Sequence, residues 1–188
     1  MSRVPPAPME QVKPIFGDDA PLFAQVFAQR PEIAAAYVQF TQVLREQRIL
    51  PARLLELVRL RIAFHNQCRT CMAVRYSEAY ADGLTEGLVC ELESPSEATD
   101  LTGAERAAIG YADLAATNHH EITDATFDGL REHFTDPEIV ELCFHVANFV
   151  GYGRMARALH MIDDLPERFQ VGADEVLTPW AAGELIPV

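Results

Sequence analysis

Cys68 and Cys71 stand in the stretch FHNQCRTCMAVRYSEAY, residues 64–80. A C-x-x-C pair can be a redox dithiol, half of a metal site or a small structural bridge. In the first turn of a helix the two side chains share one face. The free amides of that turn, with Arg69 and Arg75 nearby, favour the thiolate, which attacks peroxides and disulfides. Arg75 falls one turn after Cys71 on the same face. A tetrahedral zinc site needs two more ligands, and Cys90 and Cys143 have no partners at ligand spacing. A bridge closing so short a loop stabilises little. A free cysteine is also a common small core residue, so on these residues alone the redox reading and coincidence both stay open.

Other residues of chemical type lie nearby in sequence. Glu56 shares one side of its helix with Leu60 and Ala63, which encloses its carboxylate. Pairing with Arg59, one turn on, accounts for it without any catalytic role. His65, three residues before Cys68, and His145, in the last helix, can each serve as acid or base, or simply pack. His119 and His120 sit in a polar turn and read as solvated. Cys90 and Cys143 read as buried hydrophobes.

The elements that must position these groups are helices. APLFAQVFAQR forms a short one, and Pro31 occupies a first helical position ahead of EIAAAYVQFTQVLREQRI. Pro51 opens ARLLELVRLRIAFHNQ, and CRTCMAVRYSEAYADGL is expected to run as a helix to Gly83. Thr102 and Glu105 make a capping box, Thr123 caps DATFDGLREHF, and Asp136-Pro137 starts a long last helix that Gly151 and Gly153 are expected to kink. No window alternates with period two long enough for a strand. The fold class is therefore all-α, a single helical domain of about six to eight helices over residues 21–165. A Pro-rich arm (1–20) precedes it and an extended tail (166–188) follows, expected to pack on the body or on a neighbouring subunit. The helix after Pro51 is apolar almost all round, which places it at a centre or a subunit interface. That predicts an oligomer contact beside the cysteine helix, in a trimer or hexamer, or otherwise a dimer.

Composition narrows the partners. The 188 residues carry 15 Lys and Arg against 28 Asp and Glu, a net charge of −13. Such a surface repels phosphate backbones, which excludes nucleic acid as the expected partner. No apolar run reaches the ~20 residues of a membrane span, and the N-terminus does not resemble a signal peptide. The expected compartment is the cytoplasm, where thiols are kept reduced.

Glu56, eleven residues, then Cys68-Arg69-Thr70-Cys71 resembles the signature of the alkylhydroperoxidase D (AhpD) family, within the carboxymuconolactone decarboxylase superfamily. The later segments TGAERAAIGYADLAATNHHEITDATFDGL and DPEIVELCFHVANFVGYGRMARAL are similar in style. The resemblance implies an all-helical AhpD-like fold in trimers or hexamers. It also implies a thiol peroxidase that takes a small hydroperoxide and is restored by a dithiol reductant, without metal, haem or flavin. By that pattern Cys71 attacks, Cys68 resolves, and Glu56 anchors a proton relay. Where the family has histidine this chain has Arg75, which holds charge but does not exchange protons. His65 and His145 are the candidate replacements. Two other readings follow: a decarboxylase of a lactone dicarboxylate, with Arg75 gripping a carboxylate, and a non-catalytic redox-sensing or binding oligomer.

Overall fold

Prolines and threonines at helix starts set most of the boundaries in the computed structural model, which describes residues 1–172, 174–180 and 183–188. In chain order these are α1 (Met9–Phe16), α2 (Leu22–Phe27), α3 (Pro31–Glu46), α4 (Ala52–Asn66), α5 (Arg69–Ala73), β1 (Val74–Arg75), α6 (Ser77–Ala81), α7 (Glu86–Cys90), α8 (Gly103–Thr117), α9 (Asp124–Arg131), α10 (Asp136–Leu159) and β2 (Ile186–Pro187). Pro31 is the first residue of α3, and Pro51 immediately precedes α4. Thr102 caps α8 reciprocally with Glu105, whose carboxylate accepts the Thr102 N–H at 2.8 Å. Thr135 and Glu138 do the same for α10, at 2.7 Å. Each box satisfies amide donors that a helix start otherwise leaves to water.

The fold is mostly helical, as expected, with ten α-helices among the described residues rather than six to eight. The expected N-terminal arm carries α1, and Ala7, Val12 and Ala20 pack into a cluster with Ala24 and Ala28. The central element is α4, which lies against α8 and α10. Leu57, Val58, Leu60 and Ile62 are fully enclosed there. Its apolar circumference is thus consumed within the chain, and the expected subunit interface on α4 does not follow from it.

α10 runs unbroken through Gly151 and Gly153. Gly153 is a packing glycine rather than a kink: a methyl group there would lie 2.5 Å from Asn66 Nδ2. That amide donates to the carbonyls of Phe149 (3.0 Å) and Val150 (3.3 Å), tying the end of α4 to α10. Among the described residues no helix is long and apolar enough to cross a membrane.

Candidate active site

Gln67 ends α4 in the left-handed region, at φ 50°, a backbone uncommon for a residue with a Cβ. Its side chain props the turn. The amide donates to Phe64 O (2.7 Å) and Leu177 O (3.1 Å), and its carbonyl accepts the Leu177 N–H at 2.9 Å. This turn delivers Cys68 to the position capping α5, where its sulfur accepts the Cys71 N–H at 3.3 Å. The two sulfurs are bonded to one another, with Cα atoms 5.2 Å apart. Cys68 is 1 % exposed. Cys71 is half-buried, against a small apolar cluster that includes Ala63, Met72 and Phe169.

The cysteine helix does not reach Gly83. It stops at Ala73, and Val74 turns extended (φ −91°, ψ 144°) to open β1, which pairs in parallel with β2. Arg75 therefore leaves the helical face it was expected to share with the cysteines. Its guanidinium is buried with all five N–H groups engaged. Nε and Nη2 bond the two oxygens of Glu86 (3.0 and 3.4 Å), Nη1 bonds the carbonyls of Met72 (2.9 Å) and Val74 (3.1 Å), and Nη2 also bonds Pro179 O (2.5 Å). No donor is left to grip a thiolate or a substrate carboxylate. Burial raises the Glu86 pKa, but hydrogen bonds from Arg75 and the Tyr80 hydroxyl outweigh it and hold Glu86 below its usual range.

The cation bonded to the backbone of a site cysteine is Arg59. It donates to Cys71 O at 2.6 Å and to Val74 O at 2.8 Å, and grips both oxygens of Glu56 at 2.6 and 2.7 Å. Tyr76 completes the unit: its N–H reaches Glu56 at 3.4 Å, and its ring lies 4.9 Å from the Arg59 guanidinium. Glu56 thus takes the pairing its sequence neighbour offered, and it reaches the dithiol helix through Arg59. Sequence spacing identifies Arg59 only as the partner of Glu56. No local signal announces its bonds to carbonyls 12 and 15 residues away.

The histidines lie elsewhere. His65 Nε2 is 2.6 Å from Asp113 Oδ1, and Arg61 grips the same carboxylate at 2.7 Å, so the three lock α4 to α8. Burial raises the Asp113 pKa, but bonds from His65 and Arg61 outweigh it and hold it low. His145 is buried between α10 and the end of α3, hydrogen-bonded to the Leu44 carbonyl and 3.9 Å from Glu141. Neither has a hydrogen bond to a site cysteine. His119 and His120 are exposed, as expected. Cys90 departs from expectation: it is exposed, its thiol 3.4 Å from Trp180 O. Cys143 is half-buried, 3.3 Å from the Tyr111 hydroxyl.

Burial lowers the His145 pKa, with Arg48 adding to the shift and Glu141 and the Leu44 carbonyl opposing it. A histidine held neutral in the fold binds fewer protons than in the unfolded chain, so its contribution is present above ~6.5 and lost as pH falls below that value. The urea midpoint is therefore expected to drop from pH 7 to pH 5.5. His145→Gln should flatten that slope, and an unchanged slope would assign it to other groups.

Residues 31–114 match the carboxymuconolactone decarboxylase family. An uncharacterised Mycobacterium tuberculosis protein, found in strains H37Rv and CDC 1551, is 33% identical over 146 residues. The match takes in 75% of this chain and 51% of that one, so the chain spans about half the length of the curated relatives it matches. A peroxidase-related protein of Ralstonia eutropha JMP134 with an alkylhydroperoxidase AhpD core superposes with a TM-score of 0.70 at 20% identity, over 94% of this chain and 98% of that one. The debrominase Bmp8, as a cysteine-to-alanine variant in complex with 2,3,4-tribromopyrrole, gives 0.71 at 16% identity, over 90% and 95%. The family match covers α3, α4, the dithiol helix and most of α8, so this segment is similar to the carboxymuconolactone decarboxylase family, and the shared architecture gives the chain an AhpD-like fold.

Proposed function

We propose that the chain is a thiol-dependent hydroperoxide reductase working in cytoplasmic antioxidant defence. One observation carries this reading: Cys68 and Cys71 are joined at the start of a short helix, Cys68 sealed and Cys71 half-buried. The Cys71 thiolate attacks the peroxide oxygen that ends as hydroxyl. The O–O bond breaks, the alkoxide leaves and takes a proton to become an alcohol, and Cys71 becomes a sulfenic acid. The Cys68 thiolate then attacks that sulfur, giving the disulfide and releasing hydroxide, which is protonated to water. A dithiol returns two electrons and two protons and is itself oxidised to a disulfide. Glu56 and Arg59 position the helix, and Arg75, paired with Glu86, exchanges no proton.

The decarboxylase reading loses its carboxylate grip because the Arg75 donors are spent on Glu86 and three carbonyls. Bmp8 illustrates that one fold hosts different reactions, so the assay must read peroxide directly. One equivalent of a small hydroperoxide should remove two thiols, and peptide mapping should find them as Cys68–Cys71. Exposed Cys90 should alkylate equally before and after. Peroxide left intact, or all four cysteines oxidised alike, would sink the proposal.

Assembly is a second part of it. Ile33, Phe40 and Val43 on α3, with Val140 and Phe144 on α10, stay exposed, Phe144 at 54 %. The two helices are neighbours through the Tyr37–Tyr152 stack at 4.0 Å. This apolar face, rather than α4, is where a second copy docks in a homo-oligomer. Light scattering should return a trimer or hexamer, or otherwise a dimer, and a stable monomer at micromolar concentration would remove the proposal.

A further inference from the structure

The described residues from 174 onward do not trail away from the body. They are tied down on both sides of the dithiol, by the residues that interleave with the cysteines. Gln67, just before Cys68, holds both backbone groups of Leu177. Arg69, between the cysteines, donates from Nη2 to the carbonyls of Gly172 and Glu175. Arg75 donates to Pro179 O. Val74 and Arg75 pair with Ile186 and Pro187, and the ladder continues with Val188 N–H to Arg75 O at 2.9 Å and Ser77 N–H to Val188 O at 2.8 Å. Trp180 packs tilted against Phe64, ring centroids 4.9 Å apart. Leu177, Leu185 and Ile186 settle on the same apolar cluster that receives Cys71.

Two consequences follow from this arrangement. Arg69 and Arg75, read from the sequence as thiolate activators, spend donors on holding this strap. The backbone edge beside the dithiol is also occupied. A protein reductant must bring one of its own sulfurs in line with a site sulfur and lay its backbone alongside to do so. The natural place for that backbone is the edge of β1, where β2 already lies. The other flank, at Gln67 and Arg69, is taken by Gly172, Glu175 and Leu177.

We infer that the strap selects the reductant: the Cys68–Cys71 disulfide is reduced by a small-molecule thiol and screened from protein dithiols, with Leu177, Leu185 and Ile186 as the specificity-determining residues. This rests on the reading of the pair as a working dithiol. A small thiolate attacks the half-buried Cys71 sulfur and forms a mixed disulfide while Cys68 leaves as thiolate. A second equivalent of thiol then displaces Cys71, so two thiols become one disulfide and the site gains two electrons and, overall, two protons. The strap need not move for either step.

The test uses the full chain, oxidised with diamide so that inertness toward peroxide does not enter the result. Reduction is followed by the mass shift on alkylation, with dithiothreitol or with reduced thioredoxin as probe. Each rate is divided by the same reagent's rate on an open, solvent-exposed disulfide. Thioredoxin is expected to be slower than dithiothreitol on this scale by about a hundredfold. Leu185→Ala with Ile186→Ala should recover about tenfold of the thioredoxin deficit while changing the dithiothreitol rate by less than about twofold. Gln67→Ala, which unties Leu177 and also removes the prop of the turn before Cys68, is the second variant; it should move the ratio the same way, with its dithiothreitol rate reporting any change in the turn itself. Equal normalised rates on the unaltered chain would overturn the proposal. So would a deficit that persists in both variants when their circular dichroism matches that of the parent.

Discussion

Cys71→Ser is expected to abolish peroxide consumption, whereas Cys68→Ser is expected to stop after a single turnover with Cys71 held as a sulfenic acid. Two physical effects oppose each other here. The Cys71 N–H lies 3.3 Å from the Cys68 sulfur at the start of α5, which favours thiolate on Cys68. Access favours Cys71, since Cys68 is 1 % exposed and Cys71 is half-buried. A bimolecular reaction with peroxide needs contact before it needs a low pKa, so access decides. Trapping with dimedone distinguishes the outcomes: the adduct should form on Cys71 in the Cys68→Ser variant and on nothing in the other. An adduct on Cys68 in the Cys71→Ser variant would reverse the two roles and leave the dithiol mechanism itself standing.

Arg59→Met should carry the largest cost to stability, about 3–5 kcal/mol by urea unfolding. The change leaves Glu56 buried without a countercharge, and the carbonyls of Cys71 and Val74 without their donor. The reverse removal, Glu56→Leu, strands the guanidinium instead and should cost about as much. The double variant Glu56→Leu with Arg59→Met exchanges the pair for apolar bulk and is expected to regain most of the loss. It should not regain peroxide turnover, because the cysteine helix is still unclamped at its C-terminal end. Recovery of both stability and turnover would mean that the pair is only a structural element. Recovery of stability alone identifies Arg59 as the positioning residue for the dithiol.

The long helices were legible because their signals are local. Pro31 and Pro51 mark two starts, Thr102 with Glu105 marks a third, and apolar spacing traces α3, α4, α8 and α10 between those marks. The Glu56 to Cys68 spacing was enough to suggest the family, and adjacency was enough to suggest that Cys68 and Cys71 react with each other. What happens after Cys71 was not legible. CRTCMAVRYSEAYADGL reads as one helix, yet it breaks at Val74 because the edge there pairs with Ile186, 112 residues away in a segment without periodicity of its own.

Charge was misassigned for the same reason. Arg69 and Arg75 are near the cysteines in sequence, so a local reading credits them with activating a thiolate. The fold instead places carbonyls from residues 172, 175 and 179 within their reach, and a buried guanidinium must satisfy its donors with whatever lies closest. Arg59 gains its contact with Cys71 O only because Gln67 turns the chain back over α4. Residue type and spacing therefore determined that this protein carries a dithiol on a helical scaffold. Tertiary structure alone decided which cysteine is the more open, which arginine clamps it and what stands in front of it, because hydrogen-bond partners separated by a dozen to more than a hundred residues leave no trace in local pattern.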